Sequence, residues 1–84
     1  MYSVYAIYNK KHNKIYIGQT VDINNRVREH NDVNNKTHAY TWKFDGNWIL
    51  IYEEDLPNRK KALVREKQLK SYRGRQFVKQ HIPL

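Results

Sequence analysis

Apolar and polar positions follow two periods along the chain of 84 residues. From Tyr2 to Tyr8 (YSVYAIY) the chain is dense in aromatic and β-branched side chains, which predicts a strand. Asn9 to Asn13 (NKKHN) is polar, and Ile15 to Ile17 (IYI) resumes the strand character, so the N-terminus reads as a β-hairpin. With Lys10 paired to Asn13 across the turn, Tyr5 falls opposite Gly18 and Ile7 opposite Tyr16. Tyr5 and Tyr16 then share one face as diagonal neighbours about 7–8 Å apart. A register slip of one residue would put them on opposite faces.

The period then lengthens. In GQTVDINNRVREHN, Thr20 or Asp22 can cap a helix, Ile23 and Val27 sit one turn apart, and the helix should stop near Asn31. Arg26 and His30 are also four residues apart and lie beside that stripe. The polar run from Asn31 to Thr37 reads as a loop within one domain. Asn47 to Glu53 (NWILIYE), after Asp45-Gly46, is a continuous apolar run and predicts a central strand covered on both faces. Pro57-Asn58 opens a second helix, Asn58 to Lys70, with the stripe Ala62, Leu63, Glu66, Leu69 and then Tyr72 or Arg73. Gly74 is expected to break it, and a short third helix from Arg75 to His81 can bury Phe77 and Val78. The order β-β-α-β-α-α predicts an α+β fold, a three-stranded, mainly antiparallel sheet flanked by helices, in a single domain over residues 1–84.

Composition narrows the partners. Sixteen Lys and Arg against eight Asp and Glu give a formal charge of +8, which favours polyanions. Seven Tyr, two Trp and two Phe supply enough apolar body for a core despite that charge. The absence of cysteine removes disulfides, thiolate zinc sites and a cysteine nucleophile. No run of about 18 apolar residues is present, so no membrane partner is expected. MYSVYAIYNKK lacks the pattern of a secretory signal, and a cytoplasmic location is expected.

The remaining chemistry lies with Tyr, His, Arg, Lys and a few acids. Glu53, Glu54 and Asp55 read as a solvated loop, Asp45 as part of a turn, Asp22 as a helix start and Asp32 as a loop residue. Glu66 alone falls on an apolar stripe, where a carboxylate must be paired with a nearby Arg, edge-exposed or bound to a metal. Tyr5 and Tyr16 are either packing residues with a wet hydroxyl or catalytic phenols. A phenol can act as general base only if cationic neighbours lower its pKa from about 10. Arg26 is a candidate cation, and His30 a base, a ligand or a cap for its own helix. No GxGxxG, GxxxxGK or GxSxG motif occurs, and His12, His30, His38 and His81 show no zinc spacing.

Ser3-Val4-Tyr5, ten residues, then Tyr16-Ile17-Gly18 resembles the paired motif of the GIY-YIG nuclease superfamily. The stretch Gln19 to Asn31 resembles that family's first helix, with its arginine and a later His or Tyr. Ala62 to Lys70 resembles the helix bearing its metal-binding glutamate. Trp48 to Glu54 and Lys70 to Phe77 resemble the small single-domain bacterial branch. Ser3 replaces the opening glycine, Gln19 stands where some members carry lysine, and RGRQFVKQHIPL offers no clear match to a C-terminal asparagine of several relatives.

The resemblance implies a divalent-metal endonuclease that hydrolyses DNA phosphodiesters. It implies Glu66 as ligand to one Mg²⁺ or Mn²⁺, and Tyr5 and Tyr16 positioning or deprotonating the attacking water. Arg26 would stabilise phosphate charge, and His30 would position or accept a proton. The alternative is a nucleic-acid-binding module on the same fold with weak or lost catalysis. Both predict salt-dependent DNA binding through Lys10, Lys11, Lys14, Arg28, Lys36, Lys70, Arg73 and Arg75. Trp42, in a polar loop, is the best candidate to stack bases of single-stranded or branched DNA, whereas Trp48 is expected in the core. At this size, sequence specificity is expected to be modest or supplied by a partner protein or substrate shape, and a monomer is expected over a dimer.

Overall fold

The computed structural model describes residues 1–83; Leu84, the last residue of the expected domain, lies outside them. Strands β1 (Tyr2–Asn9) and β2 (Lys14–Thr20) form the hairpin in the expected register, with Tyr5 opposite Gly18 and Ile7 opposite Tyr16. Asn13 takes a positive φ of 53° in the turn, a conformation asparagine tolerates. Helix α1 (Ile23–Asn31) follows, capped by Asp22, whose carboxylate accepts the Asn25 N–H at 3.1 Å. A single turn, α2 (Ala39–Trp42), precedes strand β3 (Trp48–Leu56). Helix α3 (Arg59–Lys70) is capped by Asn58, and α4 (Tyr72–Lys79) is capped by Ser71.

The sheet is antiparallel throughout, in the order β2-β1-β3. The central strand is therefore β1, not the run from Asn47 to Glu53. β1 is buried along nearly its whole length, while β3 is an edge on which Leu50 stays 40% exposed. An uninterrupted apolar run does not distinguish a central strand from an edge strand, because the long-range pairing decides that. β3 also continues through Glu53, Glu54 and Asp55, which are not a solvated loop. Glu54 accepts from Tyr52 and from Arg65 at 2.8 Å each, and the Ser3 hydroxyl lies 2.8 Å from Asp55.

Two cores lie on opposite faces of the sheet. Val4, Ala6 and Ile17 pack with Ala62, Leu69 and Val78 of α3 and α4. Tyr5, Ile7 and Trp48 pack with Tyr16, Ile23, Val27 and Phe44 on the α1 side. The period-2 alternation of β1 is what divides these side chains.

Helical details depart from expectation at the C-terminus. Gly74 does not break a helix; α3 ends at Lys70, and Gly74 lies inside α4, which begins at Tyr72 rather than Arg75 and ends at Lys79 rather than His81. A Cβ at Gly74 would lie 2.2 Å from the Gln68 carbonyl oxygen, so glycine permits the tight α3–α4 corner. Leu63 and Phe77 remain partly exposed, and Tyr72 and Arg73 are outside the buried stripe. Trp42 belongs to α2 rather than to a loop, with its indole N–H donating to the Val33 carbonyl; Trp48 is buried as expected.

Candidate active site

The hairpin and α1 supply four of the five expected site residues. Because Tyr5 and Tyr16 share a face, their rings meet with centroids 6.3 Å apart above Gly18. Arg26 and His30 project from the same side of α1, one turn apart. His30 is buried, its Nε2 lies 2.8 Å from the Tyr5 hydroxyl, and its ring centre is 5.0 Å from that of Tyr16. Asn31 fastens the end of this helix to β3. Its side chain accepts the Trp48 N–H at 2.7 Å and donates to the Trp48 carbonyl at 2.9 Å.

The electrostatics join Arg26 and Glu66 to this group. Burial holds the Tyr5 phenol well above its ordinary pKa, and the neighbouring Tyr16 and Glu66 add to the rise. The positive charge of Arg26 opposes them. The arginine does not win, so no phenolate forms on Tyr5 from protein groups alone. His30 is pulled down to about 4, first by burial, then by the charges of His38 and Arg26 against Glu29. A protonated phenol thus faces a neutral imidazole. Arg26 Nε also lies 3.2 Å from Glu29, whose carboxylate is held below its usual range chiefly by a hydrogen bond from His38.

A family model for the GIY-YIG catalytic domain matches residues 1–79. The chain belongs to the GIY-YIG family. Membership implies nuclease activity in general, and with it a DNA substrate. No curated protein and no solved structure matches the chain.

Glu66 of this GIY-YIG domain sits on α3, with a side chain only 19% exposed. Its Oε2 pairs with Lys70 Nζ at 2.6 Å, so the ion pair expected as one explanation of the stripe carboxylate is present, made with a lysine. Its other oxygen has no hydrogen bond among the described residues. Among those residues no group of three or more His, Asp or Glu could cage a metal. A single hard carboxylate oxygen nevertheless fits Mg²⁺ or Mn²⁺, which keep waters and take phosphate oxygens as further ligands.

The cations expected to hold DNA divide into two sets. Lys14, Lys70 and Arg75 line two adjoining clefts along the free edge of β2, of about 410 and 270 Å³, joined there by Lys79, Tyr16 and Tyr40. The rings of Tyr16 and Tyr40 lie 5.8 Å apart. The others do not line these clefts. Lys11 is paired with Asp45, Arg28 donates to Asn25, and Lys36 lies 5.0 Å over the Trp42 ring. Lys10 and Arg73 are exposed. Trp42, expected as a stacking surface, is 46% exposed but already covered by Lys36.

Four further residues around the site lie outside the expected set. Thr41 bonds His30 Nδ1 at 2.8 Å, and the His38 ring lies 4.3 Å from that of His30. Glu29 bridges Arg26 and His38, and Tyr40 lies against Tyr16. Only Glu29, three residues from Arg26 on the same helix, could have been inferred from spacing.

Proposed function

We propose that this GIY-YIG domain is a divalent-metal-dependent endonuclease that hydrolyses DNA phosphodiester bonds. The observation that supports the reading is the contact of Tyr5 with His30 Nε2 beside the Tyr16 ring, with Arg26 one turn before His30 on the same helix. Packing alone needs no such combination. Arg26 donates to the non-bridging phosphate oxygens through its planar fork, and Glu29 holds that fork in place. On substrate binding the Tyr5 oxygen, buried in the free protein, takes up and orients the attacking water. As a water proton passes to Tyr5, the phenol proton passes to His30 Nε2, so no free phenolate is required. Tyr16 contacts the same water or the phosphate from the adjoining strand. Glu66 holds the Mg²⁺ or Mn²⁺, which when bound polarises the phosphate and neutralises the leaving oxygen.

The β2 edge supports a strand running beside this site. Lys14, Arg75 and Lys79 suit phosphates, Lys70 being paired with Glu66, and Tyr40 beside Tyr16 suits an unpaired base. Single-stranded or branched DNA is the substrate this arrangement favours, taken up by a cytoplasmic monomer whose specificity comes from substrate shape or a partner.

The deciding experiment is cleavage of single-stranded, duplex and flapped DNA with Mg²⁺ or Mn²⁺, comparing wild type with Glu66→Ala. Wild-type cutting that is lost in the variant while DNA binding persists is the expected result. Cutting at an equal rate by both proteins would remove Glu66 from the metal site. Binding without cutting by the wild type would make the chain a DNA-binding module on the same fold.

A further inference from the structure

His30 is held at both ring nitrogens, and its second partner lies outside every motif. Thr41, in the single turn α2, is 2% exposed. Its Oγ1 lies 2.8 Å from His30 Nδ1 and 3.1 Å from the His38 carbonyl oxygen. A threonine hydroxyl has one proton, a carbonyl only accepts, and a neutral imidazole has one N–H. These counts allow two arrangements.

In the first, Thr41 donates to His38, Nδ1–H donates to Thr41, and the Tyr5 hydroxyl donates to Nε2. In the second, Thr41 donates to Nδ1 and Nε2–H donates to Tyr5. The second makes one hydrogen bond fewer and leaves the proton of a fully buried phenol with no acceptor among the described residues. Both ends favour the first arrangement: the phenol proton reaches Nε2, and Thr41, by donating to the His38 carbonyl, which also accepts the Trp42 N–H at 2.9 Å, turns its lone pairs to Nδ1–H.

We infer that Thr41 is a positioning residue that fixes His30 as the Nδ1–H tautomer, so that a bare Nε2 faces Tyr5. The catalytic part of this inference rests on the proposed hydrolytic role; the tautomer itself does not. The consequence for the relay is directional. With Nε2 bare, the Tyr5 proton can move onto it while a water proton moves onto Tyr5, giving an imidazolium still anchored by Nδ1–H on Thr41. With Nε2 protonated, the imidazole has no lone pair for Tyr5 and the path is closed. The other groups facing His30 are Tyr16, the His38 ring, and Arg26 and Glu29 on its own helix. Among the described residues, none of these hydrogen-bonds a ring nitrogen of His30, so the choice of tautomer falls to Tyr5 and Thr41.

The test is long-range proton–nitrogen correlation NMR of the ¹⁵N-labelled protein near neutral pH, on wild type, Thr41→Val and Thr41→Ser. Wild type and Thr41→Ser should show a protonated Nδ1 and an unprotonated Nε2, and Thr41→Val should lose that preference. In cleavage assays, kcat of Thr41→Val should fall on the order of ten- to a hundredfold, the usual cost of removing an imidazole's outer hydrogen-bond partner, with KM for DNA unchanged and Thr41→Ser restoring the rate. A protonated Nε2 in wild type overturns the inference without any variant. So does a Thr41→Val protein that keeps the Nδ1–H tautomer and the wild-type kcat. A wild type that cuts no DNA refutes the proposed function, and the tautomer still decides the role of Thr41.

Discussion

The Tyr5 hydroxyl lies 2.8 Å from His30 Nε2, with the tyrosine fully buried and the histidine nearly so. One partner comes from the central strand and the other from the helix that covers it. This contact makes the phenol a neutral donor whose proton has an acceptor already in place. Tyr5→Phe keeps the ring in the core and removes only that bond. The variant should lose about 1–2 kcal/mol of stability, because His30 keeps a buried nitrogen without a partner. Its DNA cleavage should fall at least about a hundredfold with binding retained. Urea unfolding and single-turnover cleavage measure the two effects separately. Wild-type cleavage by the variant would take Tyr5 out of the reaction.

Acid should weaken the fold through His30. Its pKa is about 4 in the folded protein, below the ordinary 6.5 that it regains on unfolding. Between those values the unfolded chain binds the extra proton, so stability falls as pH drops from 6.5 towards 4 and levels off below. The full penalty is on the order of 3 kcal/mol. Asp45, held down to about 2 chiefly by its hydrogen bonds from Lys11 and His12, titrates below this window. His30→Gln has no charge to gain. Urea midpoints measured across pH 4–7 should therefore fall more steeply for wild type than for the variant, and parallel profiles would contradict the assignment.

The same contact marks how far the sequence could be read. The register that puts Tyr5 beside Tyr16 follows from a short polar turn and a period of two, both local signals. The α1 and α3 caps, Asp22 and Asn58, are equally local. The place of β1 at the sheet centre depends on pairing with a strand 39 to 54 residues further along the chain, and no run of apolar residues records that. Thr41 and His38 reach the site from a single helical turn, too short to carry a hydrophobic period. The position of Gly74 illustrates a different gap. A glycine reads as a helix stop, yet here it serves close backbone approach between two helices. The family resemblance points to five candidate site residues, but to none of the groups packed beside them.

Gly18 is where the site and the motif meet. A Cβ there would lie 2.8 Å from the Tyr5 hydroxyl oxygen and 3.0 Å from Tyr16 Cε2. Its neighbours are the ends of two site side chains, so a substitution would push the tyrosines rather than the backbone. Gly18→Ala should fold, with a cost of about 1–3 kcal/mol from overpacking. It should separate Tyr5 from His30, seen as a change in the His30 ring resonances, and lower cleavage without weakening DNA binding. Unaltered resonances together with wild-type cleavage would show that the two rings tolerate the added methyl.

Gly74→Ala should act differently, because its Cβ would meet the Gln68 carbonyl oxygen and the Leu69 backbone at 2.2–2.6 Å. No rotamer relieves a clash with backbone. The α3–α4 corner must open, which detaches Val78 and Leu69 from their shared core. The expected loss is about 3 kcal/mol or more, above that of Gly18→Ala. Denaturant midpoints of the two variants compared directly test that order, and a smaller loss at Gly74 would refute the close-approach explanation.

Among the sixteen basic residues, only those along the β2 edge should govern DNA affinity near the site. Each phosphate contact released on a single strand contributes about 0.7 to the slope of log affinity against log salt. Lys14→Gln and Arg75→Gln should each lower that slope by about this amount, since both line the clefts beside Tyr16 and Tyr40. Arg28→Gln and Lys36→Gln should leave it nearly unchanged, because neither side chain lines these clefts. Tyr40→Ala should weaken single-strand binding by about 1–3 kcal/mol with no change in slope, as expected for stacking rather than charge. Fluorescence anisotropy with a labelled oligonucleotide over a salt series reads all five variants. Equal slope changes at Arg28 and Arg75 would mean that DNA is held by diffuse charge, and the β2 edge would lose its claim to be the strand path.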